Sequence, residues 1–519
     1  MQLAPRKKGA ATKCYQWRAT VGMTIGRIIA TVRILLLLFA ALSAMRPSAV
    51  HARWLEARSA NFVVFSDGNE SGLRETAERL EDYDQLLRTI TGTSAPPSPA
   101  PLKIYLVDSV GKLRQVTSVP DEALGIHLSR VGGTAIIAVR GDRPGLAGEE
   151  VLLHEYAHHF MARYYPAAYP AWYREGFAEY VMTARFLSDR IEIGRFNPGR
   201  AIMLLRGAWL PAAKIFSRER GKLSPVQLSQ FYAESWLIVH YLFADPQRRE
   251  ALTRYLADLH RDVAEPDAFW NAFGKDHKAF DTDLKHYRDG KIGYGVIGRK
   301  QDRSFKIDIR ALPEAADELL LRQLALNLGI PEPEREAENL TAIRAAAGRY
   351  PGDAYARRVL ARAEIGIGDR ATGVRMLDEL IGEPPSDREL FYYRGLADFF
   401  AGRSDSAKRA EFFATAHGWF QKAVAADPND YSALYRYAIT APEADQPLLD
   451  QLQAAHALAP LVGDIAVDTA TALAARRRYA EAEAVILPIA SNPHAGNIHR
   501  AQALIESIRK EAASRHSSR

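Results

Sequence analysis

Two spacings of apolar residues alternate along residues 53–140. Asn61–Ser66 (NFVVFS) and Leu102–Val107 (LKIYLV) are short β-branched and aromatic runs, bounded by Asp67–Gly68 and by the loop Thr93–Pro101, and they predict strands. Between them Leu73, Ala77, Leu80, Tyr83, Leu86 and Leu87 recur at the spacing of one helical face, which predicts a helix over Glu70–Thr91. Gly133–Arg140 (GTAIIAVR) predicts a third strand. Val151–Tyr180 then predicts two helices with a break at Tyr165–Tyr169. Arg190–Phe196 predicts a strand and Leu210–Gly221 an irregular connection. Ser224 suits a helix cap with Pro225 at the first position, for a helix running to Phe243. Helical spacing continues to about Tyr287, where the glycine-rich Gly290–Gly298 breaks it. Phe305, Ile307 and Ile309 alternate, predicting one strand within a connector over residues 299–337.

From about Glu338 the chain turns to alanine-rich helices punctuated by proline turns. Pro351, Pro385, Pro428, Pro460 and Pro493 fall at separations of 34, 43, 32 and 33. Apart from an insertion near Ala401–Glu411, that period resembles tetratricopeptide repeats. The Gly368–Asp369 turn, Ala426–Asp430 (ADPND) and Tyr479–Ala482 resemble the same family's signatures. An all-α repeat domain over 338–515 is expected. Stacked helix pairs leave a concave groove suited to a peptide or a protein partner.

The chemistry concentrates in Val151–Tyr180. His154 and His158 are four apart and share one helical face, and Glu155 completes an H-E-x-x-H arrangement. Two imidazoles in that arrangement hold zinc, and the glutamate takes a proton from water. A hydrolytic site needs a third protein ligand and an open fourth position. Glu175 and Glu179, four apart in Trp172–Tyr180 (WYREGFAEY), are the candidates. The combination resembles the gluzincin metallopeptidases, most closely the bacterial peptidase-MA-like domains. That resemblance implies a thermolysin-like α+β domain over 53–298, with zinc held by His154, His158 and Glu175, and Glu155 as general base. It also implies that Glu179 hydrogen-bonds a ligating histidine, His154. Gly176 is expected to let the second helix approach the first. His159 is expected to be structural.

The resemblance extends to two further elements. Relatives place a strand before the metal helix at a sheet edge, where an extended peptide adds by backbone hydrogen bonds; this implies that role for Ala135–Val139, for which a plain core strand is the alternative. They also carry a tyrosine on a later helix, which implies Tyr232 as a donor to the developing oxyanion. Alternatively Tyr232, Trp236 and Tyr241 are core aromatics at helical spacing. His240 is expected to be structural. All candidate site residues precede Gly290, so the expectation is a self-contained catalytic domain.

Charge and cysteine narrow the setting. The net charge of +6 arises in residues 1–52, which hold eight Lys or Arg and no acid. The remainder carries 60 basic against 62 acidic residues, with no basic patch that argues for nucleic acid. Ile34–Ala44 (ILLLLFAALSA) after Arg27 and Arg33 has the form of a signal-peptide core, with Val50 and Ala52 suiting cleavage before Arg53 and Met23 an alternative start. Cys14, the sole cysteine, lies in this leader, so disulfides and a thiol nucleophile are excluded from the remainder. The expected setting is periplasmic or secreted, with no stable membrane span after cleavage; an inner-membrane signal anchor is the alternative. Mass spectrometry of the protein from its native envelope is expected to find Arg53 at the N-terminus, and a chain retaining Ile34–Ala44 would refute cleavage.

The sequence therefore points to an exported zinc peptidase acting on a peptide or protein substrate, with repeats that recruit a protein partner. Its rivals are a non-catalytic scaffold with a relic metal domain, and a zinc hydrolase acting on a non-peptide bond.

Overall fold

The computed structural model describes residues 53–516 apart from 122, 141–147, 165, 218–222, 300–303, 330–332, 384–386, 442–446 and 493–496. The leader with Cys14 and Ile34–Ala44, and the turn prolines Pro385 and Pro493, lie outside the described residues.

Nine strands are described: β1 (Leu55–Arg58), β2 (Phe62–Ser66), β3 (Leu102–Val107), β4 (Gly125–Arg130), β5 (Gly133–Val139), β6 (Arg185–Phe186), β7 (Arg190–Ile193), β8 (Gly295–Gly298) and β9 (Asp308–Ala311). The large sheet has the order β4–β5–β3–β2–β1–β9, with β5, β3 and β2 parallel and the other neighbours antiparallel. Strands β6, β7 and β8 form a small antiparallel sheet. The glycine-rich stretch at 290–298 thus ends in a paired strand.

The central strands are buried on both faces, so their sequence reads as continuous apolar runs. Phe62, Val64, Ile104, Leu106, Ile136 and Ala138 pack on one face against α1 (Glu70–Thr91) and α2 (Gly148–Tyr164). Val63, Phe65, Tyr105, Ala135 and Ile137 line the other. Beyond α2 come α3 (Ala171–Val181), α4 (Pro198–Arg206) and α5 (Pro225–Phe243). Asn69 caps α1, and Ser224 caps α5 through a capping box with Gln227. The stretch read as irregular at 210–221 contains a short helix, Ala212–Phe216.

Two expectations change here. Ala135–Val139 is not the sheet edge: β5 lies between β3 and β4, and the two edge strands are β4 and β9. The β4 sequence GIHLSR carries little contrast, because its polar and apolar residues from Gly125 to Ser129 are all half-buried and only Arg130 is exposed. Also, the segment read as a connector closes the sheet. β9 pairs with β1, and α6 (Ala316–Leu328) covers the second face with Leu320, Leu321, Leu324 and Leu328.

The repeats continue directly from α6 as α7 (Pro333–Arg349), α8 (Ala354–Ile367), α9 (Arg370–Gly382), α10 (Arg388–Ser404), α11 (Arg409–Ala426), α12 (Tyr431–Thr440), α13 (Pro447–Leu458), α14 (Gly463–Ala475), α15 (Tyr479–Ala490) and α16 (Ile498–His516). Sequential helices pair, and α6–α8, α8–α10 and α14–α16 also touch, as in a stacked array. The insertion near Ala401–Glu411 lengthens α10 and α11 to 17 and 18 residues. This array packs on the sheet: α6 and α14 touch β4, and Val131 of the β4–β5 turn enters the core formed by Leu434, Tyr435, Leu452 and Ile465. Among the described residues no helix is long and apolar enough to cross a membrane.

The consequence is testable by truncation. A chain ending near Arg299 loses β9 and α6, which uncovers the apolar side chains of Val63, Phe65, Tyr105, Ala135 and Ile137. The larger of these are each stabilised by about 1.5–3 kcal/mol on burial. Against a typical domain stability of about 5–15 kcal/mol, that chain is expected to lose cooperative thermal unfolding, measured by circular dichroism. A sharp, native-like melt would show the first 299 residues to be self-sufficient.

Candidate metal centre

Helices α2 and α3 meet so that three donors face one point. His154 Nε2 lies 3.1 Å from His158 Nε2 and 3.6 Å from Glu175 Oε2, and His158 Nε2 lies 3.3 Å from the same oxygen. These three residues are the single group of metal-type donors among the described residues. For zinc bonds of about 2.0–2.1 Å in tetrahedral array, ligand atoms stand about 3.3 Å apart. The donor triangle has that size, so the residues fit the ion.

Charge around the triangle favours a cation. Burial, the largest influence on His154, disfavours its imidazolium, yet Glu175, Glu179 and Glu155 together hold its pKa up at about 9. Glu175 is 2% and Glu179 1% exposed, so both carboxylates sit where water solvates them poorly.

Glu179 Oε1 faces His154 Nδ1 at 3.6 Å, beyond hydrogen-bond distance, so the hydrogen bond that the resemblance implies is not formed here. Its stronger partner is Arg200, which the sequence reading did not single out. Arg200 Nε and Nη2 donate to Glu179 Oε2 and Oε1 at 2.8 and 2.6 Å, a two-point fork. Helix α4 brings Arg200 there. Asn197 caps that helix by accepting from Gly199 N and Arg200 N, and donates from Nδ2 to Glu150 Oε2 on α2 at 2.8 Å. The Asn–Pro–Gly start of α4 was the available signal, a cap followed by proline.

Gly176 serves a different contact from the one expected. A Cβ there would collide with the Ser235 carbonyl and the Val239 side chain of α5. One residue along a helix is a turn of about 100°, so with Glu175 facing α2, Gly176 faces α5. Gly125 is the glycine that admits a close approach to the histidine helix: its Cβ would lie 2.6 Å from Val151 Cγ1. That contact seats the free edge strand β4 on α2.

Tyr232 on α5 lies beside Arg200, within range of the charges of Glu175 and Glu179. Arg200 lies over its ring at 5.2 Å, and burial, then the charges of Glu175 and Glu179, push its pKa up, so the phenol keeps its proton. His240 is structural, joined to the Tyr287 hydroxyl at 2.8 Å and the Gly293 carbonyl at 3.1 Å. His159 projects toward β4, where its ring meets His127 edge-on at 5.5 Å. His127 was also missed. Its pKa falls to about 4, chiefly through burial, with Glu155 opposing and His158 assisting, so it is a neutral imidazole beside the proposed base.

No family model matches the chain, and no curated protein matches it. Among solved structures, a thermophilic TPR protein of Thermus thermophilus aligns with 37% of this chain and 98% of its own, at 18% identity and a TM-score of 0.30. The repeat architecture rests on the helix pairing described above. The class so defined is a mixed α/β domain with a His–His–Glu donor cluster, joined to a helical repeat array.

Proposed function

We propose that this chain is a zinc-dependent peptidase of the gluzincin type. The donor triangle of His154, His158 and Glu175, at 3.1–3.6 Å, is the observation that carries the reading. Zinc in such a site supplies Lewis acidity to a carbonyl and lowers the pKa of water. The chain supplies the rest. Glu155 accepts a proton from the attacking water and delivers it to the departing amine nitrogen. Tyr232 donates its hydroxyl proton in a hydrogen bond to the carbonyl oxygen as charge grows there. Glu179, held by Arg200 and facing His154 Nδ1, favours the tautomer whose Nε2 is free to bind metal. The free edge of β4 offers backbone groups to an extended peptide, the role first read onto Ala135–Val139. The repeats are proposed to engage a protein partner, as helical arrays commonly do.

The test is to purify residues 53–519, measure bound metal, and expose the protein to a diverse peptide mixture with and without chelator. Chelator-sensitive cleavage restored by zinc is expected. Metal binding with no turnover of any peptide or ester would favour the scaffold reading, and ester cleavage alone the non-peptide hydrolase.

Proton competition adds a check. The raised pKa of His154 contributes stability to the metal-free protein below about pH 6.5, and this is lost as pH rises through about 9. Zinc must displace that proton, so apparent zinc affinity is expected to increase by up to about tenfold per unit between pH 6 and 8. Competition titrations that give a flat profile would contradict it.

A further inference from the structure

Among the described residues the two most exposed large apolar side chains are Leu205, at 69%, and Val226, at 68%. Leu205 shares a face of α4 with Ile202, itself 59% exposed, because the two are three residues apart. The end of α4 meets the start of α5. A Cβ on Gly207 would collide with the Gln230 side chain, and Val226 lies one turn before Gln230 on the same side of α5. Ile202, Leu205 and Val226 thus lie along one stretch of surface. Trp209 borders it, donating from Nε1 to the Leu204 carbonyl at 3.2 Å, and Arg288 Nη1 donates to the same oxygen.

Charge at this surface is one-sided. Residues 195–217 hold four Lys or Arg and no Asp or Glu. Arg195 and Arg200 are taken by Glu192 and Glu179. Arg206 and Lys214 make no ion pair among the described residues, and neither does Lys285, whose ammonium lies 5.8 Å from the Trp209 ring. Carboxylates on the adjoining helices are engaged. Glu234 accepts from Leu210 N at 2.9 Å, and on the helix His277–Asp289 Asp281 accepts from Ala212 N at 3.1 Å. Asp283 pairs with Lys275 at 2.5 Å and Asp289 with Arg288 at 2.7 Å. An exposed aliphatic face bordered by a tryptophan and unpaired cations has the make-up of a surface that rests in the headgroup layer of a membrane.

We propose that this face docks on an anionic lipid surface. Ile202, Leu205 and Val226 enter the acyl boundary, and Arg206, Lys214 and Lys285 meet headgroup phosphates. The three cations stand on separate elements, and a fluid headgroup layer can meet them without a fixed spacing of acids. The same helix α4 carries Arg200, so docking would turn the Arg200 side of the metal centre toward the membrane. The inference does not depend on the metal chemistry.

Co-sedimentation with lipid vesicles tests it, using the chain from Arg53, a compact unit separate from residues 1–52. The probes are vesicles of phosphatidylcholine mixed with phosphatidylglycerol, and of phosphatidylcholine alone. Three unpaired cations are expected to favour the anionic vesicle by about fivefold each, on the order of 100-fold together. A variant carrying Ile202→Ser, Leu205→Ser and Val226→Ser is expected to lose at least about tenfold in affinity while keeping its melting temperature. One carrying Arg206→Gln, Lys214→Gln and Lys285→Gln is expected to bind the two vesicles alike. Should the serine variant unfold, the glutamine variant decides, since it removes charge and leaves the apolar side chains in place. Absence of binding, equal binding of the parent chain to both vesicles, or undiminished binding by either folded variant would each overturn the proposal. A parent dimer in sedimentation equilibrium that the serine variant abolishes would also overturn it, assigning the face to a second copy of the chain.

Discussion

Glu155→Gln is expected to leave metal content unchanged and to lower peptide hydrolysis by about 10²–10⁴-fold, the usual contribution of a positioned acid–base group. The substitution preserves volume and removes only the ability to hold and release a proton. Glu155 is not among the three clustered donors, so its loss leaves the His154–His158–Glu175 triangle intact. Metal analysis and rate must be measured on the same preparation. A variant that turns over normally would remove Glu155 from the mechanism; one that loses metal as well would place it among the ligands.

The second large effect separates two glutamates on one helical face. Glu175→Gln is expected to nearly abolish zinc binding, because one of three donors becomes a neutral amide. Glu179→Gln is expected to weaken it by about 10–100-fold, the range for a residue that orients a ligand. The geometry supports this order: Glu175 Oε2 faces both histidine Nε2 atoms, whereas Glu179 lies behind His154 at Nδ1. Glu179→Gln also breaks the fork to Arg200, whose side chain is 27% exposed and finds water instead. Titration against a competing chelator gives both constants. The reverse order would mean that Glu179 is the ligand and that the helix sits one turn from its assigned register.

The local signals were strong where chemistry and periodicity coincide. His154, Glu155 and His158 sit within five residues, and helical spacing alone places the histidines on one face. Glu175 was legible because a second helix follows after a short break, so its reach is limited by chain length. Arg200 was not legible, since it arrives on α4 from 21 residues past Glu179, through a cap whose partner Glu150 lies on α2. His127 was hidden in the same way: only strand pairing opposite Ile136 sets it on the face toward α2.

The sequence by itself determined the strands with strong apolar runs, the capped helices, the repeat period and the three residues that cluster as candidate donors. Each of these depends on neighbours within one helical turn, one strand or one repeat, where backbone geometry dictates which side chains share a face. The tertiary structure alone decided which strand forms the sheet edge and which helix Gly176 approaches. It also decided that residues 299–337 complete the sheet, and that the inner face of the repeats rests on it. Those outcomes depend on pairings between distant segments, such as β1 with β9 or Val131 with Leu434, which local spacing does not encode.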